Sequence, residues 1–249
     1  MKKYMLLTLI LCIQVSESKA QWREELKVKK WRFSSIAVMA SPLFQQRHAN
    51  LSYKSLEKLV KDKKQLRYDM KEFKELHQFE MEGETVGVFF NFSKDVNQNF
   101  TQEWQVGINA YTYAEVYVDY ERTQISNDEY IGWCLLQNRF DLDVAHFIKY
   151  NHKRFSVFVG ASGSLGASFN DKVMLFDAEQ DIEPSQVTAA RSTRFVYGHL
   201  IFGLNINIYK RLAFAYELKR GIGAQIGENN RITSKSGMLG LQYSFNSKH

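Results

Sequence analysis

The sequence predicts an all-β fold: an antiparallel up-and-down transmembrane β-barrel of about eight strands, with a helical insertion in its first long loop. Three observations predict it. The chain opens with an export signal, apolar and polar residues alternate with period two through successive segments, and the connections are short at one end of the strands and long at the other.

In the export signal, Lys2 and Lys3 precede an apolar run over residues 4–15, and Ser18-Lys19-Ala20 puts small residues where a signal peptidase inspects the chain. The run falls short of the ~20 apolar residues of a membrane-spanning helix. Residues 1–20 therefore read as a cleaved signal peptide and residues 21–249 as one outer-membrane β-barrel domain. A lipoprotein signal through Cys12 would need a small residue where Leu11 stands. Cleavage removes three lysines and one glutamate, leaving 30 basic against 26 acidic residues, a net +4. So mild an excess gives nucleic acid no claim as a partner. Cys134 is then the single cysteine, which excludes an internal disulfide, and with two prolines and no low-complexity linker nothing divides the domain.

Taken in order, the first strand is expected at residues 33–43, where Pro42 is tolerable at a strand end or a bulge. In residues 52–77 the period changes, with Leu56, Leu59, Val60, Leu66, Met70, Phe73 and Leu76 recurring at helical spacing among Lys and Glu. This predicts an amphipathic helix within loop 45–84, either a partner-docking element or a cap folded over the barrel mouth. Period two returns with Val86, Val88, Phe90 and Phe92, with Trp104 to Val118, and with Phe140, Leu142, Val144 and Ile148. It is clearest in 154–169, 194–209, 212–226 and 239–245, where Phe158 breaks the pattern by standing on the polar face. An even strand number brings both ends of the domain to the periplasmic side. Connections 94–99, 151–153 and 210–211 are short; 45–84, 171–192 and 227–236 are long, while 124–128 is shorter than this alternation asks.

Phe90, Phe92, Trp104, Phe155 and Phe214, with Tyr243 and Phe245, stand near the short turns and predict a lipid-facing aromatic girdle, with Tyr120, Tyr130 and Phe169 at the opposite end. The same rings could fill a soluble β-sandwich; the signal peptide and the polar strand faces favour the membrane. Those polar faces would send Glu115, Asp119, Arg139, Asp141, Asp143, Lys149, Glu217 and Lys219 into the interior. An eight-stranded barrel is barely wide enough for its own side chains, so a paired network would fill it, and proton or ion passage is the functional alternative.

The sequence carries no catalytic motif. His199 is inward with no serine at a helpful spacing, His48 and His77 lie in the first long loop, His146 sits on an apolar face and His152 in a short turn. No metal-ligand spacing and no phosphate-binding glycine loop occurs, so no catalytic residue, metal or cofactor is expected.

The ending Leu239-Gly240-Leu241-Gln242-Tyr243-Ser244-Phe245 resembles the terminal strand read by the barrel assembly machinery, with Tyr243 and Phe245 as the signal, although four residues follow. With it and the hairpin around Lys210 and Arg211, residues 33–245 resemble the small Bacteroidota outer-membrane barrels, PorT-like and OmpX/OmpA-like. The resemblance implies a structural or partner-binding protein of the outer membrane, recognising partners through its long extracellular loops and linked to secretion or envelope assembly. It implies outer-membrane lipid and the barrel assembly machinery as partners, with a further protein docking on loop 45–84. The alternative is a membrane-embedded enzyme that modifies lipid or lipopolysaccharide.

Overall fold

Period-two alternation leaves each strand with one apolar and one polar row, and a sheet of such strands can bury the polar row only by curling on itself. The computed structural model describes residues 30–48, 77–118, 131–177, 186–227 and 231–245. The signal segment 1–20, the insertion over 52–76, and Asp119, Tyr120 and Tyr130 lie outside the described residues.

The strands are β1 (Arg32–His48), β2 (His77–Asp95), β3 (Phe100–Val118), β4 (Ile131–His152), β5 (Phe155–Asp177), β6 (Gln186–Ala189), β7 (Arg194–Tyr209), β8 (Leu212–Gln225) and β9 (Arg231–Ser244). Each barrel strand pairs antiparallel with its neighbours, and β9 pairs with β1 through Val38 and Leu241 to close an eight-stranded barrel. The short β6 stands outside this count. It covers the edge of β5 at Lys172–Leu175, above the point where β7 leaves it. Following one row of partners from Leu212 through Tyr243, Ile36, Phe90, Val106, Val144, Gly163 and Gly198 returns to β8 at Ile222, ten residues higher. That stagger over eight strands tilts them by about 40°, the geometry of a barrel with a filled interior.

The short end is built by the turn at 96–99 and by the two-residue turns Lys153-Arg154 and Lys210-Arg211. Asn97 closes the first through its side-chain oxygen, which accepts from the backbone N–H of Asn99 (2.9 Å) and Phe100 (2.8 Å). Lys153 (φ 47°) and Lys210 (φ 34°) occupy the left-handed region without being glycine, at a cost of about 1–2 kcal/mol each.

Several strands outrun the lengths the sequence predicted. β2 begins at His77, so His77 opens a strand instead of closing the helical insertion. The connection expected at 124–128 lies outside the described residues. The long connection expected at 227–236 shrinks because β9 starts at Arg231, with Ile232 and Ser234 inward and Thr233 and Lys235 outward. In the extension of β9 the outward row of Arg231, Thr233 and Lys235 is not apolar, so hydropathy alternation could not reveal it. Pro42 sits in a bulge of β1, where the register with β2 skips from Ser41 to Phe44. Above that point β1 stays with β9 as far as His48, β2 stays with β3 as far as His77, and the two strands part.

Candidate functional site

The lumen carries the charges, and three tiers of side chains cross it. In each, a cation lies between a carboxylate and an aromatic ring.

Nearest the short turns, Lys149 of β4 donates to both oxygens of Glu103 on β3 at 2.9 Å, and its ammonium lies 5.3 Å from the Phe158 ring centroid. Beside this pair runs a chain of amides and a hydroxyl. Asn205 of β7 donates to Gln242 of β9 (2.7 Å), while Gln242 and Asn91 of β2 (2.9 Å) both donate to the Ser35 hydroxyl of β1. The tier thus ties β4 to β3 and, beside it, β7, β9, β1 and β2 to one another. It floors a polar cup of about 190 Å³ that opens towards the short turns, with Asp95, Thr101, Asn151 and Asn207 in its wall.

In the middle tier, Lys219 of β8 donates to Asp143 of β4 at 2.6 Å and lies 3.8 Å from Glu217. Gln105 of β3 donates to the other Glu217 oxygen at 3.2 Å, and the ammonium sits 5.0 Å from the Phe89 ring.

In the upper tier, the Arg139 Nε is 2.7 Å from the Asp141 carboxylate, with both side chains 1% exposed. Its Nη1 donates to Gln46 (2.9 Å) and to the Tyr197 hydroxyl (2.8 Å). Four rings surround the guanidinium: Tyr111 at 4.3 Å, Tyr197 at 4.9 Å, Phe195 at 5.1 Å and Phe44 at 5.6 Å. Ions this deep are tolerable because each has a partner of opposite sign.

The structure therefore brings Arg139, Asp141, Asp143, Glu217 and Lys219 into the lumen, with Lys149 below them. Glu115 is placed only by its strand position, opposite Leu135, and Asp119 lies outside the described residues. Sequence reasoning missed Glu103 and the inward rings Phe89, Phe147 and Phe195. Their signal was the inward glycines: Phe89 pairs across strands with Gly107 and Phe158 with Gly203, so each ring lies over a residue without a side chain. Phe158, the exception to the alternation, is one half of such a large–small pair.

The expected girdle residues Phe90 (38%), Phe92 (39%), Trp104 (44%) and Phe155 (41%) are exposed on the outer surface, and Phe214 is half-buried there. Phe33 bridges Phe92 (5.5 Å between centroids) and Phe245 (5.0 Å), Trp104 packs on His146 (4.7 Å), and His152 on Phe155 (5.3 Å). Tyr243 and Phe245 join this band, and the Phe245 N–H donates to the Ser34 carbonyl at 2.8 Å. At the other end Phe169 stacks on Phe140 at 4.9 Å.

His199 corrects the sequence reading in one respect. Register sets its ring between two serine hydroxyls remote in sequence, Ser162 at 3.4 Å from Nδ1 and Ser234 at 3.0 Å from Nε2. Both ring nitrogens are engaged by hydroxyls, and all three side chains belong to the inward rows. The exposed apolar rows lie on the opposite side of the barrel wall.

No protein-family model and no curated protein matches the sequence. Among solved structures the chain is similar to Ail, the attachment invasion locus protein of Yersinia pestis, crystallised with the heparin analogue sucrose octasulfate: 11% identity, 85% of this chain and 97% of that one, TM-score 0.37. It is similar also to Neisserial surface protein A, at 7% identity over 87% of this chain and 100% of that one, TM-score 0.39. A third likeness is to the CymD monoaromatic hydrocarbon channel, at 6% identity over 88% and 90% of the two chains, TM-score 0.20.

Proposed function

We propose that this chain is an exported outer-membrane barrel that acts through its ends and its outer surface while its lumen stays closed. The observation that carries the proposal is the pairing of an apolar outer belt, from Val38, Ile108, Leu142 and Val159 to Leu200 and Leu241, with a lumen crossed by three bonded tiers. Such a belt in water would be an exposed patch far beyond the few hundred Å² that soluble monomers carry. In this proposal residues 1–20 direct export, and the barrel assembly machinery reads Tyr243 and Phe245. Partner docking falls to the long-loop end, including loop 45–84. The resemblance to PorT-like barrels adds a link to secretion or envelope assembly. Deleting residues 52–76 while keeping β2 from His77 is the test of that docking, and loss of a stable co-purifying partner is the result expected.

The membrane assignment is tested by fractionation and gel migration. The full chain should remain in the membrane pellet after a carbonate wash and shift its mobility on boiling; release by the wash would sink the proposal. In planar bilayers the purified barrel should show no steady open-channel conductance, because each tier would have to break to admit a file of water.

The enzymatic alternative rests on the His199 contacts with Ser162 and Ser234, and its substrate would have to reach them through the lumen. His199→Ala should therefore leave lipid and lipopolysaccharide composition unchanged while lowering stability by about 1 kcal/mol, the scale of the hydrogen bonds removed. A change in lipid composition on this substitution would revive the alternative.

A further inference from the structure

On the outer surface, one row of the register carries two cations in the upper part of the apolar belt. Arg220 of β8 lies directly opposite Lys235 of β9, and both are exposed. The row continues to Leu200 on β7, 73% exposed, and to Gln45 on β1. Along its own strand Arg220 stands between the outward residues Leu218 and Ile222, 44% and 56% exposed, while Lys235 lies two outward positions beyond Leu239, 44% exposed.

Like charges placed directly across from each other destabilise a sheet, and a cation among lipid-facing residues is costly unless it finds a partner. The carboxylates of the described ion pairs, Asp95, Glu103, Asp141, Asp143 and Glu217, are committed to other cations and line the lumen or its cup. Neither Arg220 nor Lys235 has a carboxylate partner among the described residues. An anion from outside the protein relieves the mutual repulsion and the missing partner together. At the edge of a belt that faces hydrocarbon, that anion is carried by the lipid itself.

We propose that Arg220 and Lys235 form a membrane-facing site for the phosphate groups of a phosphorylated glycolipid in the leaflet on the long-loop side. The site deepens the membrane reading and rests on it. The guanidinium offers two parallel N–H donors to phosphate oxygens and the ammonium a second charge on the same headgroup, while Leu200 and Leu218 flank the acyl chains below.

The full chain in non-ionic detergent, titrated with diphosphorylated lipid A and with its dephosphorylated form and followed by native mass spectrometry, tests the site. The phosphorylated lipid should bind at least about tenfold more tightly, the scale of one charge-assisted contact. The double variant Arg220→Gln/Lys235→Gln should lose that preference, and Lys153→Gln/Lys210→Gln at the opposite rim should keep it. Millimolar inorganic phosphate should not compete, and competition would overturn a lipid source in favour of a free anion. Equal binding of the two lipids to the unaltered protein overturns the site, even where the double variant fails to fold, which its gel shift on boiling would show. A chain washed off the membrane by carbonate refutes the membrane reading. A chain that stays integral but ignores phosphate refutes this site alone.

Discussion

Arg139→Met is expected to cost the barrel about 3–5 kcal/mol, the penalty for removing one partner of a buried ion pair and leaving the other uncompensated. Methionine keeps most of the length and the apolar contact with Tyr111, Phe195 and Tyr197, so the loss isolates the charge. Asp141, 1% exposed, would be left without its nearest cation, and Gln46 and the Tyr197 hydroxyl would lose a donor. The midpoint of urea unfolding, followed by tryptophan fluorescence or by gel migration without boiling, measures the effect. The double variant Arg139→Met/Asp141→Leu should recover most of it, since replacing both members of a buried pair with apolar residues is often neutral or stabilising. A single-variant cost below about 1 kcal/mol would mean that the upper tier is not holding the barrel together.

Gly240→Val should abolish the folded form. Gly240 faces inward on β9 opposite Met39 of β1 and Ala215 of β8. A Cβ there would collide with the Val38 carbonyl oxygen and come within 2.6 Å of the Met39 Cα and 2.7 Å of its Cγ. Two of these obstacles are backbone, which cannot rotate aside, so the seam between β1 and β9 would have to open. The cost exceeds the about 1–3 kcal/mol of an ordinary overpacked core. The expected result is a protein whose mobility no longer changes on boiling. Gly163→Ala is the matched control, because the nearest atom to its added Cβ is the Tyr197 carbonyl oxygen at 4.0 Å. A folded Gly240→Val barrel would show that the seam has slack that the register does not suggest.

The outward rows were legible in the sequence because the exposed positions of the belt are apolar, and that pattern repeats every second residue whatever the strand pairs with. The row from Val196 to Ile208 and the row from Leu239 to Phe245 could be read without knowing any neighbour. The inward rows could be recognised as polar, which named Arg139, Asp141, Asp143, Glu217 and Lys219, but not resolved into partners. Those partners come from far along the chain. Lys149 and Glu103 are 46 residues apart, Lys219 and Asp143 are 76, and Arg139 and Gln46 are 93. The stagger of the barrel decides which of them meet, and no local pattern encodes it. The same holds for His199, whose serines lie 37 and 35 residues away. The strand ends escaped for another reason. Beyond the belt the outward positions become polar, as at Glu84, Thr112 and Lys235, and two polar faces leave no period to detect.

The seam between β1 and β9 also has a bearing on biogenesis. Its partners, such as Ala37 with Gln242, are separated by almost the whole domain, so every truncated chain lacking the last strand keeps two raw edges. No nascent intermediate can pair those edges by closing early. Such a chain must be kept from pairing edge to edge until its last strand is made, and a single stop codon near residue 239 would be as damaging as one near residue 100.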